Sequence, residues 1–423
     1  RPSDVNQTGN IYALGANSFG MVVQNDAKDG RSDVTINILN DLSGERSVIA
    51  GGSGLGAGIA VLGGAHNTLN NAGLISTVLG IKGTAIRATV GDDRVDNTGT
   101  IVGSVDLGTG RNAFLNAIKA SFIGGDSVLL GAGNALTNRG TLWAGDPGRV
   151  STTALTGDFV QSTDGVFEVD LDLRFGAADR LNVSGTASVS GTIKVNPIDA
   201  LASAMAAKPG TYDATIVAAA GGQNSPAARV QAAPPVSVQA SSTAVLTYSL
   251  EHASNDLILR HTIDFAPAGL SANSQAVGQA INAIQTAQAS PAFGPVAGAI
   301  FYQPDLPALE KTYASLSGSA VAGIEGLSFV PTDKFMLAIG RQTQMWLGNR
   351  VIDVNGDGGT ARKMTSHSGP SPAARTLAPN ASPGGWRAWF GRDGNSVTVP
   401  GNDAVGSVDS RQQGYLLSGG VDY

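Results

Sequence analysis

A few stretches of the chain carry residue types that could do chemistry. GGDSVLL, Gly124 to Leu130, offers Ser127 as a hydrolase nucleophile. A serine hydroxyl needs an adjacent general base to attack. The histidines, His66, His252, His261 and His367, stand in no motif that supplies one, and they read as turn, strand or linker residues. DVNGDGG, Asp353 to Gly359, matches the opening of a calcium-binding loop through Asp353, Asn355, Asp357 and Gly358. Such a loop ends on a bidentate Glu at its twelfth position. That position is Met364 here, so Asp353, Asn355 and Asp357 are an incomplete ligand set and a flexible acidic turn is the plainer reading. DLDLRFGAADR, Asp170 to Arg180, gathers several carboxylates. Paired carboxylates along a groove would suggest glycan hydrolysis, but no Asp or Glu pair has a context that singles it out. GTGRNAF (108–114) and GAGNAL (131–136) are glycine-rich, yet neither has the preceding strand and following long helix of a dinucleotide fingerprint. The sequence therefore assigns no catalytic residue, no metal and no cofactor.

The elements that would position such residues are short and repetitive. NTLNNAGLIS begins at Asn67, DRVDNTGTIV at Asp93, NAFLNAIKAS at Asn112 and NALTNRGTLW at Asn134, with spacings of 26, 19 and 22 residues. A period near twenty is that of stacked repeats whose single unit cannot bury its own apolar face. Between the motifs lie apolar segments of three to seven residues such as GIAVL, TAIRATV and DSVLL, separated by Gly and Asn. They are too short for globular helices. The pattern predicts a right-handed parallel β-helix over about residues 10 to 260. The apolar third position, Leu69, Val95, Phe114 or Leu136, is expected to point inward. Asn67, Asp93, Asn112 and Asn134 are expected to bond to nearby backbone at a bend, and stacked Asn side chains to bond between tiers. Asn71, Asn97 and Asn138, followed by Gly73, Gly99 and Gly140, suit a tight turn in which glycine takes a positive φ. An ordinary Gly-rich β-sandwich is the alternative.

Composition narrows the class. Of 423 residues, 14% are charged and 57 are Gly; Cys is absent, and the net charge is −6 with a pI near 5.2. A length of this order favours two or three units over a single core. Without Cys there is no disulfide or thiolate chemistry. No basic patch exists on the scale that phosphate neutralisation demands, so nucleic acid is not an expected partner. The glycine-rich, lysine-poor, cysteine-free balance suits an extracellular bacterial β-protein. The chain opens RPSDVNQTGN, without Met or an apolar leader, which is read as a processed or trimmed start. No apolar run reaches the ~18 residues of a membrane helix, and membrane strands leave a weaker trace.

Beyond Gly157 the strands lengthen. FEVDLDL alternates, placing Phe167, Val169, Leu171 and Leu173 on one face. Further strands are read at GTYDATIVAA (210–219), AVLTYSL (244–250) and NDLILRHTIDF (255–265), and together they suggest a cap over the open end of the repeats. SQAVGQAINAIQTAQA then shifts to helical spacing, with Val277, Ile281 and Ile284 on one face. A second helix is expected from Leu306 to about Leu327, with Asp305 as N-cap and Pro307 in its first turn. PTDKFMLAIGRQTQMWLG reads as a third, and residues 353–383 as a linker. The chain closes on aromatic-bearing β-segments, with Trp386, Ala388 and Phe390 on one face.

From Leu155 onward, over about 270 of 423 residues, the chain resembles the C-terminal half of bacterial autotransporters, the proteins of type V secretion. LTGDFVQSTDGVFEVDLDLRFGAADRLNVSGTASVSGTIKV resembles the family's passenger end, often called the autochaperone region; Gly157, Gly165, Asp179, Leu181, Gly185 and Gly191 stand within it. LPALEKTYASLSGSAVAGI resembles the segment leading into the translocator, although Ser319 stands where the family commonly has Glu. WRAWFGRDG and GYLLSGGVDY, with Trp386, Phe390, Gly391, Gly420 and Asp422, resemble the first strands of the outer-membrane barrel. The family's barrel has about twelve strands, so the two or three present cannot close, and the chain is read as a fragment of a longer precursor.

The resulting organisation is β-helix repeats over 1–156, an autochaperone-like cap over 157–265, a helical region over 266–352, a linker over 353–383 and barrel strands over 384–423. The resemblance implies a surface-exposed structural or adhesive passenger segment, held by an outer-membrane barrel on the bacterial surface, with a ligand on a host cell, matrix or neighbouring cell. The alternative is a secreted enzyme passenger, a glycan hydrolase, esterase or protease, whose active site lies upstream of Arg1 or in a β-helix groove.

Overall fold

The computed structural model describes residues 3–25, 33–41, 43–220, 230–239, 242–253, 255–288, 291–317, 336, 340, 387–401 and 409–422. Among these the protein is mainly β. Its large sheet mixes parallel and antiparallel long-range pairing and does not close into a barrel, and a short helical segment follows it.

Three parallel ladders make up most of the sheet. The first runs through Ser3–Gln7, Asp33–Ile38, His66–Asn71, Asp92–Asn97, Ala113–Asn116, Ala135–Asn138, Asp158–Gln161 and Ala187–Pro197, each paired with the next. The second starts at Ile11–Tyr12 and Val48–Gly51 and the third at Phe19–Asn25 and Ala57–Gly63. Between these elements the chain turns at Gly and Asn, so successive circuits add one tier to all three ladders. Thr100–Asp106 serves two of them. Its first residues pair with Leu74–Thr77 and its last with Thr84–Ala88, with a register shift between Ser104 and Val105. A strand of four to seven residues offers only two or three inward side chains, too few to stand alone. In register, Ile36, Leu69, Val95, Phe114, Leu136 and Phe159 form one interior column, and none is more than 3% exposed. Burying each such side chain stabilises by about 1.5–3 kcal/mol.

The parallel tiers continue across the expected boundary at 156/157 and through Ala187–Pro197. Pairing turns antiparallel where Gly210–Ala219 takes Asp256–Ile263, which in turn takes Leu246–Ala253. Leu257, Leu259, His261 and Ile263 form the buried face of the middle strand. Val166–Asp172 departs from its one-sided alternation, because Glu168, Asp170 and Asp172 are buried along with the apolar set. Each acid is held. Glu168 accepts from Lys194 and Asn196 at 2.8 Å, Asp170 accepts the backbone N–H groups of Gly148 and Arg149, and Asp172 accepts from Arg174.

Four α-helices have both ends among the described residues: α1 (Ala200–Met205), α2 (Ala272–Ala287), α3 (Gly294–Phe301) and α4 (Leu306–Leu316). The sequence reading did not anticipate α1, and α3 falls within the helical region expected over 266–352. On α2 the buried stripe is Ser274, Gly278, Ile281 and Gln285, while Val277 and Ile284 are half-buried. The stripe is rotated from the apolar one because its polar members find partners. Ser274 Oγ donates to Glu310, and Gln285 Nε2 donates to the carbonyls of Met205 and Ala207. Gly278 lies so near Phe265 O that a Cβ there would sit 2.3 Å away. Asp305 caps α4 by accepting from Ala308 N at 2.9 Å, with Pro307 in the first turn. The third expected helix lies outside the described residues apart from 336 and 340, which are helical.

By compactness, one unit holds residues 1–264 with 284–302, and a second holds 265–283 with 303–423. In the second, Arg387–Val399 and Ser410–Asp422 form an antiparallel pair of 13-residue strands. Phe390 faces Gly419, Gly391 faces Ser418, Gly420 faces Trp389, and Asp422 faces Arg387. Trp386, the linker 353–383 and the candidate ligands Asp353, Asn355 and Asp357 lie outside the described residues.

Candidate functional site

The repeat motif converges on two columns of polar side chains inside the first ladder. In the inner column, Asn71 Nδ2 donates to Asn97 Oδ1, Asn97 to Asn116 and Asn116 to Asn138, each at 2.8 Å; Asn138 donates to Gln161 Oε1 at 3.0 Å. The second hydrogen of each Asn Nδ2 reaches a backbone oxygen one tier on, at Thr100, Ser121, Thr141 and Val166 in turn. All five side chains are at most 1% exposed. The column works because a carboxamide is both donor and acceptor, and identical ones a strand spacing apart satisfy each other. Asn116 and Gln161 were missed in the sequence reading. Asn116 carries the same signal as its neighbours, four residues after Asn112, but Ile118 replaces the glycine that marks the other turns. Gln161 is recognised only by its pairing with Asn138.

Gly73, Gly99 and Gly140 are not in the left-handed region, which corrects the expectation of a positive φ. Space requires glycine here instead. A Cβ on Gly99 would lie 2.2 Å from Gly73 O, and one on Gly73 or Gly140 would lie 2.4 Å from a neighbouring carbonyl. The tiers approach each other through these backbones.

The second column holds Asn67, Asp93, Asn112 and Asn134. Asn67 Nδ2 donates to Asp93 Oδ1 at 2.7 Å and to Gly63 O at 3.0 Å. Asn112 Oδ1 accepts from Asp93 N at 2.9 Å, and its Nδ2 donates to Leu130 O. Asn134, half-buried, donates to Gly110 O and Leu130 O. Burial pushes the Asp93 carboxyl up to about 7.

The autochaperone-like residues take structural places. Leu181 is 1% exposed, paired between Thr153 and Val217. Gly165 and Gly185 sit where a Cβ would meet Asn138 O and Asp158 Oδ1, and Gly157 and Gly191 have positive φ. Asp179 accepts from Ser151 N at 2.7 Å and from Asp170 N at 3.0 Å, and burial raises it to about 7.

Ser127 pairs with Ala154, its N–H donates to Ser104 Oγ, and no described hydrogen bond joins it to a histidine. Among the described residues no group of three or more His, Cys, Asp or Glu is placed to hold a metal. His66 lies exposed between Asp33 and Asp92 in neighbouring tiers. His261 is buried against Tyr212, its ring nitrogens unpartnered, and burial lowers it to about 4. No described helix is long and apolar enough to cross a membrane. No family model matches the chain, and no curated protein matches it.

Proposed function

We propose that this chain is a structural, surface-displayed passenger segment of a bacterial autotransporter: a right-handed parallel β-helix with a β cap, joined through helices to the first strands of an outer-membrane barrel. The observation that carries this reading is the in-register run of parallel tiers from Ser3–Gln7 to Ala187–Pro197, filled by apolar and asparagine columns. Such a stack offers a long, regular exterior and dedicates its interior to holding itself together. Its exterior supports an adhesive role: Asn6, Asn37 and Asn70 form an outward amide ladder at 2.8 Å contacts, a spaced row of donors and acceptors for a ligand on another surface. The antiparallel strands Gly210–Ala219, Leu246–Ala253 and Asp256–Ile263 suit the cap, since they cover edges that would otherwise pair with another chain. The 13-residue strands of the C-terminal pair exceed the ~9–11 residues a tilted strand needs to cross a bilayer.

Protease added to intact cells carrying the full-length precursor tests this directly. The tiers are expected to be cleaved while the strand at Arg387–Val399 is protected. Cleavage of the tiers only after outer-membrane permeabilisation overturns surface display. Turnover of glycans, esters or peptides, abolished by one Ser, Asp or Glu substitution in a tier, would establish the enzyme reading instead.

A further inference from the structure

We propose that Asp93 is a proton-binding site inside the stack, held as the neutral acid where adjoining tiers carry asparagine, and that its ionisation loosens the tier it belongs to. Asp93 Oδ2 and Asn67 Oδ1 are buried and have no hydrogen-bond partner. Both side chains line one small cavity of about 10 Å³ whose walls include Ile36, Leu69, Ile86 and Leu107. Neither buried oxygen has a donor, and an ionised carboxylate only adds charge to that deficit. A hydrogen on Oδ2 turns that unpartnered acceptor into a donor and removes the charge.

The neighbouring tiers show the role the residue fills. Asn67 and Asn112 each use an Nδ2 donor to tie down a turn carbonyl. The neutral acid is the form of aspartate that has a donor at all. Asp93 Oδ1 meanwhile accepts from Asn67 Nδ2, so one oxygen acts as the amide oxygen and the other takes the place of the amide nitrogen.

The charged surroundings do not favour the anion. Asp92, next along the strand, opposes a second negative charge. Arg94 is engaged with Asp96 at 2.8 Å. The preceding tier contributes exposed His66, which leans on Asp33 of the tier before it, and the following tier Arg111, whose backbone N–H is bonded to Asp92. Burial raising the carboxyl to about 7 agrees with the geometry.

The test compares the full chain with Asp93→Asn by thermal melting from about pH 5 to about pH 8. The variant is expected to melt near the wild type at the acid end and progressively above it as pH rises. A gap independent of pH, or a variant less stable throughout, overturns the proposal. Infrared difference spectra at about pH 6 should show a protonated-carboxylic-acid band of which Asp93→Asn removes a part, the remainder belonging to Asp179, while Asp96→Asn does not; an unchanged band also overturns it. If the variant does not fold, hydrogen exchange on the wild type decides. Protection across 92–106, corrected for intrinsic rates, should fall as pH rises through about 7. Constant protection refutes the mechanism.

Discussion

Asn97 Nδ2 donates to Asn116 Oδ1 at 2.8 Å, joining residues 19 apart in sequence across one tier. Asn97 also donates to Ser121 O and accepts from Asn71 Nδ2 and Gly99 N. Asn97→Ala strands several of these groups in a dry interior. A loss of about 3 kcal/mol is expected by denaturant unfolding. Asn37→Ala removes two outward ladder contacts that water replaces, and should cost under ~0.5 kcal/mol. Equal losses would mean that the buried column has no special weight.

Gly99→Ala tests the close approach of the tiers. The added Cβ would meet Gly73 O at 2.2 Å, so the backbones must separate. The expected loss is about 2–4 kcal/mol. Gly133→Ala has open space and carries only the strain of its φ of 76°, so about 1 kcal/mol is expected. Melting temperatures of the two variants, measured side by side, separate crowding from backbone strain.

Phe114→Ala should lower stability by about 3–5 kcal/mol. Its ring fills the interior column between Val95 and Leu136 and meets Phe122 at a centroid distance of 4.7 Å. Phe175 is 78% exposed, and Phe175→Ser should change the unfolding midpoint little.

His261 makes the antiparallel strands acid-sensitive. Its folded pKa lies near 4, below the ordinary 6.5 of the unfolded chain. The unfolded chain therefore takes up a proton first. Stability is complete above about 6.5 and falls as pH drops toward about 4, by up to ~3 kcal/mol. His261→Phe should flatten that part of the stability–pH curve. A wild-type slope retained in the variant would assign the loss to other groups.

Tyr248 Oη is buried without a partner, and burial raises its pKa. Tyr248→Phe removes an unsatisfied hydroxyl and keeps the ring. The variant is expected to gain about 0.5–1.5 kcal/mol in chemical denaturation; a loss would show that the hydroxyl is satisfied in solution.

Much of the fold follows from local chemistry. The Asn-x-apolar-x-Asn spacing places Leu69, Val95, Phe114 and Leu136 on one inward column, because strand side chains alternate and each motif restarts the register after a turn. The cap of α4 at Asp305 is likewise local, set within one helical turn. Other features needed the packed tiers. The glycines after the inner asparagines are demanded by a carbonyl of the tier beneath, which no local turn preference reveals. The buried stripe of α2 is turned toward Ser274 and Gln285 by acceptors 36 and about 80 residues distant in the chain. Asp93 reads as a conservative variant of asparagine in the motif. Only the packed interior around it, which leaves its Oδ2 without a partner, makes its protonation state a property of the fold: the low dielectric that sets its charge is created by side chains from four other strands.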